Sequence, residues 1–400
     1  MTARGRLVLA LGLGIYVVAW AFGSKPLYPV AAGLVLVSVL SWAWLRLANR
    51  PFDARRKWGR REHLEGDDVF VAVEVETAGI VPPPSAVLVE RIGRLGERRS
   101  PLGRAGKRLR VKYVLSSVPR GCYAFEDVHA ELSDPFGLQR LVVPLPAPGA
   151  LLVYPRLVRL ERLFSEAGAH APEGRRLLLH RPSGFDLHSV REHEQGESLR
   201  NVHWRSTARR GRLMVKELED APRDEVAVVL DAAAGAVAGE SFDVQVRAAG
   251  SILDAYVRRG RRAVLVVAGA QTRTQQVHSP MGERQRALEL LASVEPTGRF
   301  RLTAALGEEA SPASRALELV VVTARPEPAF VARLIQRALS RRRVSLVFVE
   351  APTFAGAAPR PQPELLRLQG AGVPVAVVRA GDDLAVQLSG EPDAGMAAHG

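Results

Sequence analysis

Cysteine occurs once in 400 residues, as Cys122, so no disulfide can form within the chain, a usage that suits a reducing compartment. Lysine is nearly as scarce: Lys25, Lys57, Lys107, Lys112 and Lys216 are the whole set, and the other fifty of the 55 basic residues are arginine. Such an Arg-, Ala-, Gly- and Leu-rich usage reflects coding bias, which weakens the step from a net charge of +13 to a nucleic-acid ligand. The anionic cytoplasmic leaflet of a membrane is the better-matched acidic surface. Catalytic signatures are also missing. The chain has no G-x-S-x-G elbow, no H-E-x-x-H and no Walker loop. Gly106-Lys107 lacks the upstream glycine and the following Ser or Thr that a phosphate loop needs. No small-molecule substrate, cofactor or nucleic acid is therefore expected.

What is present begins with two uncharged apolar runs, Leu7 to Gly23 and Leu27 to Leu45, joined by Ser24-Lys25-Pro26. Each is about 17–19 residues, close to the ~20 that a membrane-crossing helix needs. Trp20, Trp42 and Trp44 sit near the run ends, where interfacial aromatics belong. Residues 1–48 thus read as a transmembrane helical hairpin. Arg4 and Arg6 precede it, Arg46, Arg50, Arg55, Arg56 and Lys57 follow it, and the link carries Lys25 alone. By the positive-inside rule both ends face the cytoplasm, which makes this a multi-pass cell-membrane protein with a cytoplasmic body. A cleaved signal peptide, with Ala19-Trp20-Ala21 as the processing site, is the rival reading. It would leave the second helix and its basic flank in place.

The body has two halves. In 58–155, Val69, Val71, Val73 and Val75 alternate with polar or small residues, and Leu109, Val111, Tyr113 and Leu115 do the same. Turn clusters at Pro82-Pro83-Pro84, Gly93 to Gly106 and Asp134-Pro135-Phe136-Gly137 separate such runs, as in a small β-sandwich. Over 224–382 apolar strands alternate with helices: Val226–Asp231, an amphipathic Ser241–Arg259, Ala263–Ala268, Glu283–Ser293, Leu317–Thr323, Ala329–Leu339, Val344–Val349 and Val375–Val378. That order predicts a parallel, doubly wound α/β sheet. Residues 383–400 read as a mobile tail, and 156–223 as a connector.

The connector holds SGFDLHSVREHEQGESLRNVHWRSTARRGRLMVKELE, Ser183 to Glu219. Phe185, Arg191, Gly196, Arg200, Trp204, Ala208 and Arg209, with Asp231 closing the next strand, resemble the pattern of the domain of unknown function 58 family. Arg120-Gly121-Cys122-Tyr123, Asp134-Pro135-Phe136-Gly137-Leu138 and Val153-Tyr154-Pro155 resemble its upstream elements. The resemblance implies an N-terminal anchor, a β-domain and a von Willebrand factor A-like (Rossmann-type) domain. It also implies the company of MoxR-type AAA+ ATPases and envelope proteins, and no settled reaction. His193 and Gly196-Glu197 stand where the family carries Tyr and Gly-Asp.

A von Willebrand A metal site needs hydroxyls after the first strand, and Asp231 is followed by Ala232-Ala233-Ala234. Asp231 is expected to be a vestigial metal position that binds no cation. His188, His193 and His203 match no metal spacing and read as ordinary hydrogen-bonded histidines. Arg200, Arg205, Arg209, Arg210, Arg212 and Lys216 alternate with Glu192, Glu194, Glu197, Glu217, Glu219 and Asp220. The favoured reading is a structural lock in which Trp204 is buried among ion pairs; the other is a partner-binding surface. The chain is then a membrane-tethered, non-enzymatic scaffold or adaptor. The alternatives are a cytoplasmic-face enzyme acting on a phosphorylated substrate, or a nucleic-acid-binding protein.

Overall fold

Apolar runs without charge fold as helices when no neighbouring strand can satisfy their backbone, and both runs do so here. The computed structural model describes residues 1–48, 52–60, 62–77, 85–105, 108–147, 149–167, 187–192, 202–218, 226–278, 282–297, 302–307, 311–340 and 342–390. Its two compact units are Met1–Arg156 and Leu157–Gly400. Helices α1 (Ala3–Phe22) and α2 (Leu27–Ala48) are each long and apolar enough to cross a membrane. The Thr2 hydroxyl caps α1 by accepting from the Gly5 amide, and Gly23 closes it in the left-handed conformation. Their buried residues are mostly small: Gly5, Gly12 and Ala19 on α1 and Ala31, Ser38, Ser41 and Leu45 on α2, with Gly5 turned to the Leu138 carbonyl and Leu45 to the β core. Small side chains between the helices let the backbones approach. A Cβ on Gly12 would lie 3.0 Å from the Leu34 Cβ.

The rest of the first unit is β: β1 (Phe52–Trp58), β2 (His63–Leu64), β3 (Val69–Thr77), β4 (Ser85–Ile92), β5 (Glu97–Ala105), β6 (Arg108–Leu115), β7 (Gly121–Ser133), β8 (Arg140–Pro144) and β9 (Ala150–Tyr154). They form one nine-stranded sheet in the order β1-β3-β6-β5-β4-β7-β9-β2, with β8 beside β7. Strand β5 pairs with β4 through Glu97–Leu102 and with β6 through Gly103–Ala105. The sheet therefore changes partner along β5 and folds over a single apolar core. The alternating valines of β3 and apolar residues of β6 fill that core, as their period of two requires.

The expected start at residue 58 is too late. Strand β1 begins at Phe52, and it escaped notice because an arginine occupies a core position. Arg56 is buried, donates to Glu90 at 2.7 Å, and lies 3.6 Å from the Phe125 ring centroid. The Tyr113 hydroxyl donates to the other Glu90 oxygen. Burial lowers the pKa of Arg56 and raises that of Tyr113. Cys122 lies in β7 and is exposed.

In the second unit the short helix α3 (Phe164–Ala167) precedes the hairpin β10 (Leu187–Glu192) and β11 (Met214–Leu218), with helix α4 (Trp204–Arg210) between its strands. The α/β part runs β12 (Val226–Asp231), α5 (Ser241–Arg258), β13 (Ala263–Ala268), β14 (Thr272–Val277), α6 (Glu283–Ser293), α7 (Leu302–Gly307), α8 (Pro312–Arg315), β15 (Glu318–Thr323), α9 (Pro328–Leu339), β16 (Arg343–Val349), α10 (Pro363–Gly370), β17 (Val375–Val378) and α11 (Leu384–Ser389). The sheet order is β14-β13-β12-β15-β16-β17; β14 alone is antiparallel. Separate apolar cores lie on its two faces, with α5 in one and α9 in the other. The doubly wound expectation holds in this arrangement. Strand β14 was not foreseen, because TRTQQV is an edge strand with little apolar periodicity. Nor is 383–400 wholly a tail: Asp383 caps α11, and Leu384 and Leu388 enter the core. Residues 391–400 lie outside the described residues.

The hairpin meets the β-domain at the turn 134–138. The Ser41 hydroxyl donates to Asp134 Oδ2 at 3.2 Å, while the Phe136 and Gln139 amides donate to the same carboxylate. The Thr2 amide and hydroxyl both donate to the Leu138 carbonyl. Leu45, only 4% exposed, reaches into the β core. Asp134→Ala would strand three donors at a buried site, each costing about 1–3 kcal/mol. We expect a net loss of about 2–4 kcal/mol, read as a lowered melting temperature of the detergent-solubilised chain. Ser41→Ala, which leaves the two amide bonds intact, is expected to cost clearly less.

Candidate functional site

The motif segment forms a small module around α4. The hairpin registers Val190 opposite Lys216, Arg191 opposite Val215 and Glu192 opposite Met214, so acidic and basic positions are not cross-strand partners. His203 precedes the helix and caps it: its Nδ1 accepts from the Ser206 amide and lies 2.7 Å from the Ser206 hydroxyl. The His203 amide donates to the Met214 carbonyl, and the Met214 amide donates to the Thr207 hydroxyl. Gly211, in the left-handed conformation, ends the helix. Val202 and Met214 are buried, and Ser206 and Thr207 form the inward helix face.

The outward face is Trp204, Arg205, Ala208, Arg209 and Arg210. Trp204 is 68% exposed. Trp204 is therefore not the buried side chain that the lock reading expects. The reason is local: a seven-residue helix, capped at both ends and held to the hairpin by Thr207, has one inward side, and the Trp204 and Ala208 positions four apart share the other. Arg205, Arg209 and Arg210 make no ion pair among the described residues. The reading of His203 as an ordinary hydrogen-bonded histidine fits its role as a cap. Arg191 is placed in β10, with its side chain outside the described residues; Phe185, Gly196, Arg200, His193 and Glu197 lie outside them altogether.

Asp231 occupies the switch point of the sheet. The helix after β12 packs on one face and the helix after β15 on the other, so the crevice between these two strand ends is where such sheets bind ligands. Here the two strand ends are joined by an internal bond. Thr323, at the end of β15, donates its hydroxyl proton to Asp231 Oδ2 at 2.6 Å, and the Ala233 amide donates to Oδ1 at 3.1 Å. The carboxylate is 6% exposed, and burial raises its pKa against the opposing pull of these two bonds. Arg325 pairs with Glu327 at 3.2 Å, and its guanidinium stands 3.5 Å from where a Gly235 Cβ would be. An ion pair thus overlooks the crevice, Glu327 raising and Arg325 lowering the pKa of Asp231. Both Asp231 oxygens are engaged by protein donors, and the three alanines after it offer no hydroxyl to a hard metal ion. Sequence reading identified Asp231 and missed Thr323; its signal was a threonine ending the adjacent parallel strand.

Comparison with known proteins adds a family match. The family described as "Protein of unknown function DUF58" matches residues 189–350. That span contains Arg191, Gly196, Arg200, His203, Trp204, Ala208, Arg209 and Asp231, and leaves Phe185 outside. The uncharacterised protein YeaD of Bacillus subtilis (strain 168) is 24% identical over 288 residues, which is 68% of this chain and 70% of YeaD. Two solved structures overlap in part. The CARDB domain of a Pyrococcus furiosus protein, in complex with di-metal ions, covers 27% of this chain and 96% of its own, at 16% identity and a TM-score of 0.18. A conjugative transposon lipoprotein from Bacteroides eggerthii covers 26% and 98%, at 12% identity and a TM-score of 0.15. Likeness at that level carries no inference about this chain.

The raised pKa of Asp231 fixes the sign of a pH effect. A carboxyl whose folded pKa lies above its unfolded value favours the folded state below the ordinary aspartate range of about 4, and that contribution is lost as pH rises through the folded value. Asp231→Asn stays neutral throughout, so it should melt above the wild type at neutral pH. The gap should close as pH falls below about 4. A variant that melts lower at neutral pH would mean that the ionised carboxylate is stabilised by its surroundings. Calorimetric titration with Mg²⁺ or Mn²⁺ should detect no site tighter than millimolar.

Proposed function

We propose that this chain is a membrane-tethered, non-enzymatic adaptor: α1 and α2 fix it in the cell membrane, and α4 offers Trp204 and its neighbouring arginines to an acidic protein partner. The observation that carries this reading is the outward face of α4. An indole 68% exposed beside Arg205, Arg209 and Arg210 is an uncommon expense for a folded domain, because Trp and Arg are the residue types that dominate binding hot spots. Their charge is of one sign, which favours an acidic partner over a neutral one. A MoxR-type AAA+ ATPase is the partner that the family resemblance implies.

We read the α/β domain as von Willebrand factor A-like, with its metal position retired to structural use through Asp231 and Thr323. A cytoplasmic body is supported by Arg4, Arg6 and Arg46, which flank the apolar helices while Lys25 alone sits in their link. An Asp231 whose two oxygens are both engaged, by the Thr323 hydroxyl and the Ala233 amide, favours the adaptor over a hydrolase.

Trp204→Ala and Arg209→Ala should leave the melting temperature within about two degrees, as exposed substitutions usually stay within ±0.5 kcal/mol. Both should lose the protein that co-purifies with the wild type from membranes. Falling melts would return Trp204 to a structural role. The topology has its own test: a reporter that is active only in the cytoplasm, fused after Gly400, is expected to be active.

A further inference from the structure

The turn that seats the hairpin displays one large apolar side chain outward, Phe136, which is 67% exposed. A single exposed phenylalanine ordinarily needs no explanation. This one is distinguished by where and how it is held. The Gly137 amide donates to the Asp134 carbonyl, the Phe136 amide donates to Asp134 Oδ2, and Gly137 takes a positive φ of 68°. The ring therefore stands at the third position of a tight turn whose backbone is fixed on both sides.

The depth of that turn along the helices follows from its contacts. Thr2 bonds to the Gly137 and Leu138 carbonyls, a Cβ on Gly5 would fall 2.1 Å from the Leu138 carbonyl oxygen, and Ser41 bonds to Asp134. The turn thus lies beside the first turn of α1 and the Ser41 level of α2. Trp42 is next in sequence and half-exposed, and the Arg46 guanidinium sits 5.4 Å from its ring centroid. An exposed tryptophan paired with an arginine is what marks the level of lipid headgroups at a helix end. Beyond it, Leu45 already belongs to the β core.

The apolar length left for lipid is short. The uncharged run of α1, Leu7 to Gly23, rises about 26 Å at 1.5 Å per residue, against a hydrocarbon core of about 30 Å. A span that is a few ångströms short draws its flanking structure into the interface or thins the bilayer around it. The flanking structure here is the 134–138 turn.

We propose that the Asp134–Leu138 turn is a lipid-contacting element of the β-domain, with the Phe136 ring seated in the headgroup–acyl boundary of the membrane that holds α1 and α2. The inference rests on the membrane reading of those helices and adds a lipid contact outside them. Asp134 and Gly137 position the ring, and Phe136 makes the contact. Arg4 and Arg6, exposed on the first turn of α1, supply charge for anionic headgroups at the same level.

Nitroxide accessibility in the full chain tests this. The chain is reconstituted in nanodiscs of phosphatidylethanolamine and phosphatidylglycerol and labelled at one cysteine at a time. The native Cys122 is the aqueous reference, since it is exposed and lies eleven residues along β7 from Ser133, about 36 Å in an extended strand. Phe136→Cys and Val17→Cys are made in a Cys122→Ser background; Val17 is an exposed residue of α1. The ratio of oxygen to nickel-chelate accessibility is expected to be several-fold higher at 136 than at 122, and highest at 17. A high ratio at 17 with an aqueous ratio at 136 overturns the proposal and leaves the anchor standing. A label at 136 shielded from both reagents points to a second copy or a partner protein and also overturns it. An aqueous ratio at 17 removes the membrane reading and the proposal together.

Discussion

The carboxylate of Asp134 does in the first unit what no apolar contact could do alone. A helix pair able to cross a membrane and a β-domain bent over its own core have little reason to adopt one fixed arrangement, since neither needs the other to satisfy its backbone. Asp134 supplies the reason. Its two oxygens collect the amides of its own turn and the Ser41 hydroxyl of α2, and the same turn presents the Leu138 carbonyl to Thr2. Gly5 is required there because a side chain would collide with that carbonyl. Bonds to a charged acceptor are stronger than neutral ones, so a few polar contacts can fix the register of long apolar elements.

Glu90, Glu318 and Asp231 are among the other buried carboxylates of the described residues. Glu90 neutralises Arg56 inside the β-domain and accepts from Tyr113. Glu318, at the opposite strand end from Thr323, accepts from Tyr256 at 2.5 Å and Arg261 at 2.7 Å. Asp231 differs from both, since it has a hydroxyl and an amide but no cation as a hydrogen-bonded partner. A charge buried on those terms is penalised, which is why its pKa rises. In a sheet of this topology the switch point is where ligands ordinarily bind, and here the Thr323 hydroxyl meets the carboxylate.

The motif helix shows the contrary economy. Its polar inward residues, Ser206 and Thr207, complete the hydrogen bonds of the module, and the tryptophan and arginines point away. An ion-pair network would have reversed this, drawing the arginines inward to meet the acidic positions of β10 and β11. The strand register instead sets those acidic positions opposite Ser189 and Met214.

The sequence by itself determined the elements whose periodicity is strong. Two uncharged runs had to be helices, the alternating valines of β3 had to face a core, and apolar strands alternating with helices had to build a parallel sheet; in each case side-chain period and burial give one solution. It also identified the motif residues and Asp231 as positions of interest. Tertiary structure decided whatever depended on a partner distant in sequence. Arg56 in a core strand is tolerable only because Glu90 is there, and β14 exists because β13 offers an edge. Leu384 and Leu388 pack because a core surface awaits them. Trp204 faces outward because the short helix spends its inward side on Thr207 and Ser206. Local pattern carries the preference of a residue for water or oil; which neighbour satisfies a buried charge is settled only when the chain closes.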